Sequence, residues 1–169
     1  MMKPHIKFGL LTGLASGVIF ISTTLAGLDK SGILFFAYLF MLAFGLYLTI
    51  KESYVSSEII TRRMGLTVGM RMLLIAGVID GCIIYPYCKF INHSYMTFAR
   101  KFQIDFFEKV MRYDPKQLET FKSNIYWSVS PGTLAISELT RDLVFGFFIC
   151  LLVTSFLKRN NKPADSKEF

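Results

Sequence analysis

The sequence predicts an all-α integral membrane protein: four transmembrane helices set as two antiparallel hairpins, with an amphipathic helical hairpin between spans three and four. Three observations carry that prediction. The 169 residues are 53% hydrophobic and 15% aromatic with mean hydropathy +0.45, too apolar for an ordinary soluble domain of this length. The apolar residues fall in four blocks near the length that crosses a bilayer at about 1.5 Å per residue. The 19 Lys and Arg cluster at the ends of those blocks, where they meet lipid headgroups; the net charge of +7 is therefore a topological signal, and nucleic acid is not expected as a partner.

Span one covers about residues 6–28. It could pass for a signal peptide, with Lys3 and Lys7 ahead of it, but its apolar part exceeds a signal core, so a retained helix is expected. Gly9, Gly13 and Gly17 recur every four residues. Such a strip lets two backbones approach closely where lipid supplies no hydrophobic drive between helices, so it predicts a helix-packing face. Asp29-Lys30-Ser31-Gly32 is too short for anything but a direct return. Span two, about residues 33–50, holds Phe35, Phe36, Tyr38, Phe40, Phe44 and Tyr47 without a charge. These aromatics are expected to pack or face lipid, with no cofactor role.

After the connection Lys51 to Arg63, span three covers about residues 64–90. It spaces Gly65, Gly69, Gly77 and Gly81 in multiples of four, a second packing strip, and it carries Arg71 and Asp80. Pro86 removes one backbone donor and should kink or end the helix near an interface suited to Tyr85 and Tyr87. Its opening, Met64-Gly-Leu-Thr-Val-Gly-Met70, echoes Phe8-Gly-Leu-Leu-Thr-Gly-Leu14 weakly.

Residues 92–130 form the sizeable polar stretch. From Tyr95, apolar side chains recur at helical spacing through Phe98, Ala99, Phe102, Phe106, Val110 and Tyr113, while Lys101, Asp105, Lys109, Glu108 and Arg112 pair at i, i+4. This is an amphipathic helix, and Tyr95, Phe98, Phe102 and Phe106 are its candidate face for a membrane surface or a partner. Asp114-Pro115 with Gln117 reads as a capping box that opens a second short helix over about Pro115 to Asn124. Span four follows Ser130-Pro131 and runs over about residues 131–157, bringing Glu138, Arg141 and Asp142. Residues 160–169 read as a polar, disordered tail. The domain organisation is thus one membrane domain over residues 1–159 and that tail.

Nine Lys and Arg (Lys3, Lys7, Lys51, Arg62, Arg63, Lys158, Arg159, Lys162 and Lys167) share one side, against Lys30 and the six of the long loop on the other. The positive-inside rule then places both termini in the cytoplasm and the helical loop outside, in a bacterial inner membrane.

The candidate site is the set of ionisable residues inside the spans: Asp80, Glu138, Arg141, Asp142 and Arg71. Counted from the outer ends of their spans, Asp80 lies about 15 Å deep and Arg141 about 12 Å deep, so they can be neighbours. Arg71 sits near the cytoplasmic end and can snorkel. An unpaired charge at depth costs at least about 2.5–3.5 kcal/mol, so Arg141 needs an acidic partner or water. Two readings stay open: a structural clamp between the hairpins, or a site for a proton, a cation or a substrate headgroup.

Other chemistry finds no footing. Cys82, Cys88 and Cys150 lie in apolar segments at spacings that suit neither zinc nor a disulfide framework, and are expected to act as small buried hydrophobes. Ser16 in Ala15-Ser16-Gly17 faintly suggests an intramembrane serine protease, but no histidine falls in any span to serve as its base. No HExxH, phosphate-binding loop or dinucleotide fingerprint is present. No catalytic set, metal or cofactor is expected.

The layout resembles a known family. Phe8-Gly9-Leu10 with Gly13, a charged turn after span two, a glycine-bearing span three ending in Tyr85-Pro86-Tyr87, a helical hairpin rich in Phe, Lys and Glu, and Glu138 early in span four are similar to the bacterial membrane proteins of domain of unknown function 4199, found chiefly in the Bacteroidetes. The resemblance runs over about Lys7 to Arg159. It implies four transmembrane helices in the inner membrane and no assigned activity. The expected function is a non-enzymatic structural or interaction component that works with the bilayer, a membrane-protein partner or a second copy of itself. The alternative is a small transporter or ion-coupled carrier using the Asp80, Glu138, Arg141 and Asp142 cluster.

Overall fold

The computed structural model describes residues 2–27, 33–55 and 61–160. The expected turn at 29–32 and most of the tail lie outside these residues. The chain is all helical, in the order α1 (Pro4–Leu25), α2 (Ile33–Val55), α3 (Arg62–Pro86), a wide-turned segment (Tyr87–Ile91), α4 (His93–Lys109), α5 (Pro115–Ser128) and α6 (Pro131–Asn160). Helices α1, α2, α6 and the continuous run from α3 through Ile91 are each long and apolar enough to cross a membrane.

Local chemistry sets the helix starts. Pro4 and Pro115 occupy first-turn positions, where their missing N–H leaves no bond unmade. Thr61 caps α3 by accepting from the Met64 amide at 3.2 Å. Asp114 and Gln117 form the reciprocal box at 2.8 and 3.2 Å. Ser130 and Thr133 make an equivalent pair ahead of α6, at 3.2 and 2.8 Å. Pro86 does not stop its helix abruptly. The chain relaxes beyond it into five residues of wider turn, closed by the Asn92 amide on the Tyr87 carbonyl at 2.8 Å. Helix α2 runs five residues past the expected end of span two because Lys51 to Val55 contain no breaker and Ser53 and Tyr54 are buried.

Helix α3 is the hub of the bundle, gripped on one side by α1 and on another by α6. A Cβ at Gly9 would stand 2.9 Å from Ile75, at Gly13 2.6 Å from the Ala76 carbonyl oxygen, and at Gly17 2.7 Å from Ile83. Side chains at these positions would hold α1 away from α3. The α3 glycines face elsewhere: Gly65 meets Tyr54 and Thr154, Gly69 meets Cys150 and Leu46, and Gly77 meets Leu139 and Asp142. Gly81 is looser, with the nearest atom at 3.5 Å. A core of Leu42, Leu46, Ile50, Tyr54, Met72, Leu73, Cys150 and Leu157 fills the bundle toward the end carrying the α2–α3 connection. Cys88 and Cys150 are buried as expected of small hydrophobes, whereas Cys82 is exposed.

The α4–α5 hairpin is not free of the bundle. A second core of Phe20, Ile84, Tyr87, Cys88, Met96, Ile125 and Val129 seats it on the far end of α1 and α3. Tyr95, expected on the surface-seeking face, instead packs edge-on against Phe20 at 5.3 Å between ring centroids. The physical reason is that α4 begins directly after the wide turn, so its first turns have no room to leave the bundle. Phe107 then packs at a tilt against Phe121, ring centroids 4.3 Å apart, to join α4 to α5, and Arg100 donates to the Val129 carbonyl at 3.1 Å.

Candidate functional site

The spans converge midway along the bundle on one polar cluster. Helical periodicity puts Glu138, Arg141 and Asp142 on one side of α6, and the tight α3–α6 contact near Gly77 brings that side against Asp80. Asp80, Glu138 and Asp142 are all buried. Arg141 forms an ion pair with Glu138 one turn before it and approaches Asp142 at 4.0 Å.

Two participants were not legible as such. Tyr38, read as one aromatic among several in charge-free span two, is buried and turns its ring under Arg141, whose guanidinium carbon lies 3.8 Å from the ring centroid. Its hydroxyl donates to the Asp142 carboxyl and stands 3.2 Å from Asp80 Oδ2. A phenol has one proton to give, so the two aspartates share or compete for it. Ser16, set aside as an unsupported nucleophile, is buried in α1 near Asp80, and its hydroxyl has no hydrogen-bond partner among the described residues. The signal available in the sequence was depth. Tyr38 lies in the first half of span two and Ser16 at the middle of span one, within reach of the level of Asp80 and Glu138.

The cluster thus takes a serine from α1, a tyrosine from α2, an aspartate from α3 and three charged residues from α6. A small cavity of about 10 Å³ lies among Phe20, Tyr38, Asp80, Ile84, Glu138 and Arg141. That is room for one water at most. Asp80 Oδ1 and Arg141 Nε, which have no hydrogen-bond partner among the described residues, are the groups such a water would satisfy.

Arg71 does not join them. It is exposed on the outer side of α3, near His5 of α1. On the hairpin the expected face divides. Phe98 is half-buried and packs at a tilt between Tyr95 and Phe102, while Phe102 and Phe106 are 61% and 41% exposed. Val110, Met111, Tyr126 and Trp127 add to the exposed apolar surface of the hairpin, with Trp127 84% exposed. Lys101, Lys109, Arg112, Lys116 and Lys122 are exposed among them.

Four apolar helices around a buried polar cluster, capped at one end by a packed helical hairpin, define a multi-pass membrane protein. The family model described as protein of unknown function DUF4199 matches residues 7–159, and the chain belongs to that family. Neither curated proteins nor solved structures gave a match.

Proposed function

We propose that this protein is a non-enzymatic structural component of the bacterial inner membrane, whose polar cluster clamps its spans together and whose α4–α5 hairpin rests on the outer bilayer surface. The observation that carries the first part is closure: the single guanidinium is held by Glu138, Asp142 and the face of Tyr38, in a space too small for cargo. Buried charges that satisfy one another are costly to break from one side, which makes them effective determinants of how helices dock. The exposed aromatics of the hairpin, interleaved with lysines, support the second part, because Trp, Tyr and Lys suit the headgroup level.

In this reading both termini are cytoplasmic and the hairpin is extracytoplasmic. A cysteine placed at exposed Lys116 in a cysteine-free background should react with a membrane-impermeant maleimide in intact spheroplasts. Labelling only after lysis would invert the orientation. For docking, Phe102→Ser with Phe106→Ser should leave the melting temperature within a few degrees of wild type. The same change should abolish quenching of Trp127 by lipids brominated near the headgroup. Unchanged quenching would remove the surface role.

A second reading rests on the excess of three carboxyls over one guanidinium: a carrier coupled to protons or small cations. It requires a path of water to Asp80, and the closed geometry of the cluster favours the clamp.

A further inference from the structure

Among the described residues the outer face of α3 is left uncovered between α1 and α6, and it forms an open groove of about 680 Å³. That size falls within the range of about 300–1,000 Å³ usual for small-molecule sites. Leu66, Met70, Leu74 and Ile75 of α3 line it with Ile6 of α1 and Leu143 of α6, an almost wholly apolar wall. Its polar rim holds Arg71, His5 and Thr67, with Lys3 beside His5. Among the described residues no carboxylate lies within ion-pair distance of Arg71.

Counted along α3, Arg71 lies nine residues beyond Arg62, about 14 Å into the helix. Register against its neighbours changes that picture. Gly9 packs on Met72 and Ile75, so Arg71 stands level with the first turns of α1, where Lys7 pairs with Glu52 at 3.5 Å. It is exposed at the edge of the apolar groove, and its long side chain reaches from there toward the basic start of α1.

We propose that this groove seats an anionic phospholipid of the surrounding leaflet, its phosphate on the Arg71 guanidinium beside His5 and Lys3 and one acyl chain along Leu66, Leu74 and Leu143. A guanidinium offers paired donors that fit a phosphate, and basic pockets between transmembrane helices at headgroup depth suit anionic lipid heads. An apolar groove without a cation would accept any acyl chain. The unpaired guanidinium of Arg71 selects for charge.

The test uses the full-length protein in a neutral detergent and follows its melting temperature against added phosphatidylglycerol, phosphatidylcholine or inorganic phosphate. Phosphatidylglycerol should raise the melting temperature saturably, since a ligand of the folded state stabilises it by mass action. Phosphatidylcholine and inorganic phosphate should not. Arg71→Gln should weaken the apparent affinity for phosphatidylglycerol about tenfold, the scale of one charge-assisted contact, and Arg71→Lys should restore most of it. Leu74→Trp, which fills the groove but leaves the cations, should also weaken it. Equal response to phosphatidylcholine, an undiminished response in Arg71→Gln, or an equal response to inorganic phosphate would each overturn the proposal. So would conversion of the protein to a dimer on Arg71→Gln, which would assign the groove to a second copy of the chain.

Discussion

Replacing Gly13 by alanine adds one methyl group where α1 crosses α3, and the geometry fixes what that methyl meets. Its carbon would stand 2.6 Å from the Ala76 carbonyl oxygen and 2.8 Å from Ile79 Cβ. The first of these is backbone inside a helix, so no rotamer change removes the clash. The helices must separate by several tenths of an ångström. A gap of about 0.5–1 Å forfeits a quarter to a half of each dispersion contact along the face, and overpacking of this kind costs about 1–3 kcal/mol. Against that stands the intrinsic helical advantage of alanine over glycine, about 0.8–1 kcal/mol. A net loss remains, a few degrees in melting temperature for a chain of this size. Gly81→Ala is the matched control in α3: its new carbon would sit 3.5 Å from the Ala135 carbonyl oxygen, an ordinary contact, and only the helical advantage would register. Both variants are compared with wild type by thermal unfolding in the same detergent. Equal melting temperatures for Gly13→Ala and Gly81→Ala, or a loss at Gly81 alone, would refute the packing argument.

Three further outcomes follow from the same geometry. Tyr38→Phe keeps the ring under Arg141 but removes the hydroxyl that serves Asp142 and Asp80, leaving buried carboxyls short of a donor; a loss of about 1–3 kcal/mol is expected in detergent unfolding. Asp114→Ala removes the cap of α5 at a cost of about 1 kcal/mol, visible as faster amide exchange in the first turn of α5 with the spans unaffected. Cys82 is exposed while Cys88 and Cys150 are buried, so a lipid-soluble maleimide should modify one cysteine rapidly in the folded protein and three after denaturation.

How far the sequence reached can be judged at particular residues. The four apolar blocks announced four helices, because bilayer thickness leaves few other solutions for such sequences. Asp114-Pro115 and Ser130-Pro131 located two helix starts for an equally local reason. Tyr38 was missed because nothing local distinguishes it from Phe35 or Phe40; only the crossing of α2 against α6 turns it inward while Phe36 and Phe40 face out. Tyr95 was assigned to the wrong surface for the same kind of reason. Helical spacing groups Tyr95 with Phe98, Phe102 and Phe106, but it cannot tell which part of that stripe the bundle covers. Arg71 was grouped with the buried charges by position along the chain, whereas the side of α3 on which it projects decides its partners. Within the cluster, Glu138, Arg141 and Asp142 were adjacent by helical geometry alone, and Asp80 by depth.

The clamp is the central claim, and a double-mutant cycle on its ion pair addresses it most directly. Glu138→Gln, Arg141→Gln and the double variant are unfolded thermally in one detergent beside wild type. Arg141→Gln strands three buried carboxyls without their cation and should cost about 3–5 kcal/mol, the scale for breaking a buried pair from one side. Glu138→Gln should cost less, because Asp142 still faces the guanidinium. The double variant should be more stable than Arg141→Gln alone, since it has one fewer uncompensated charge. Variants as stable as wild type, or two losses that simply add, would contradict the account and mean that these charges are kept for something other than holding the helices together.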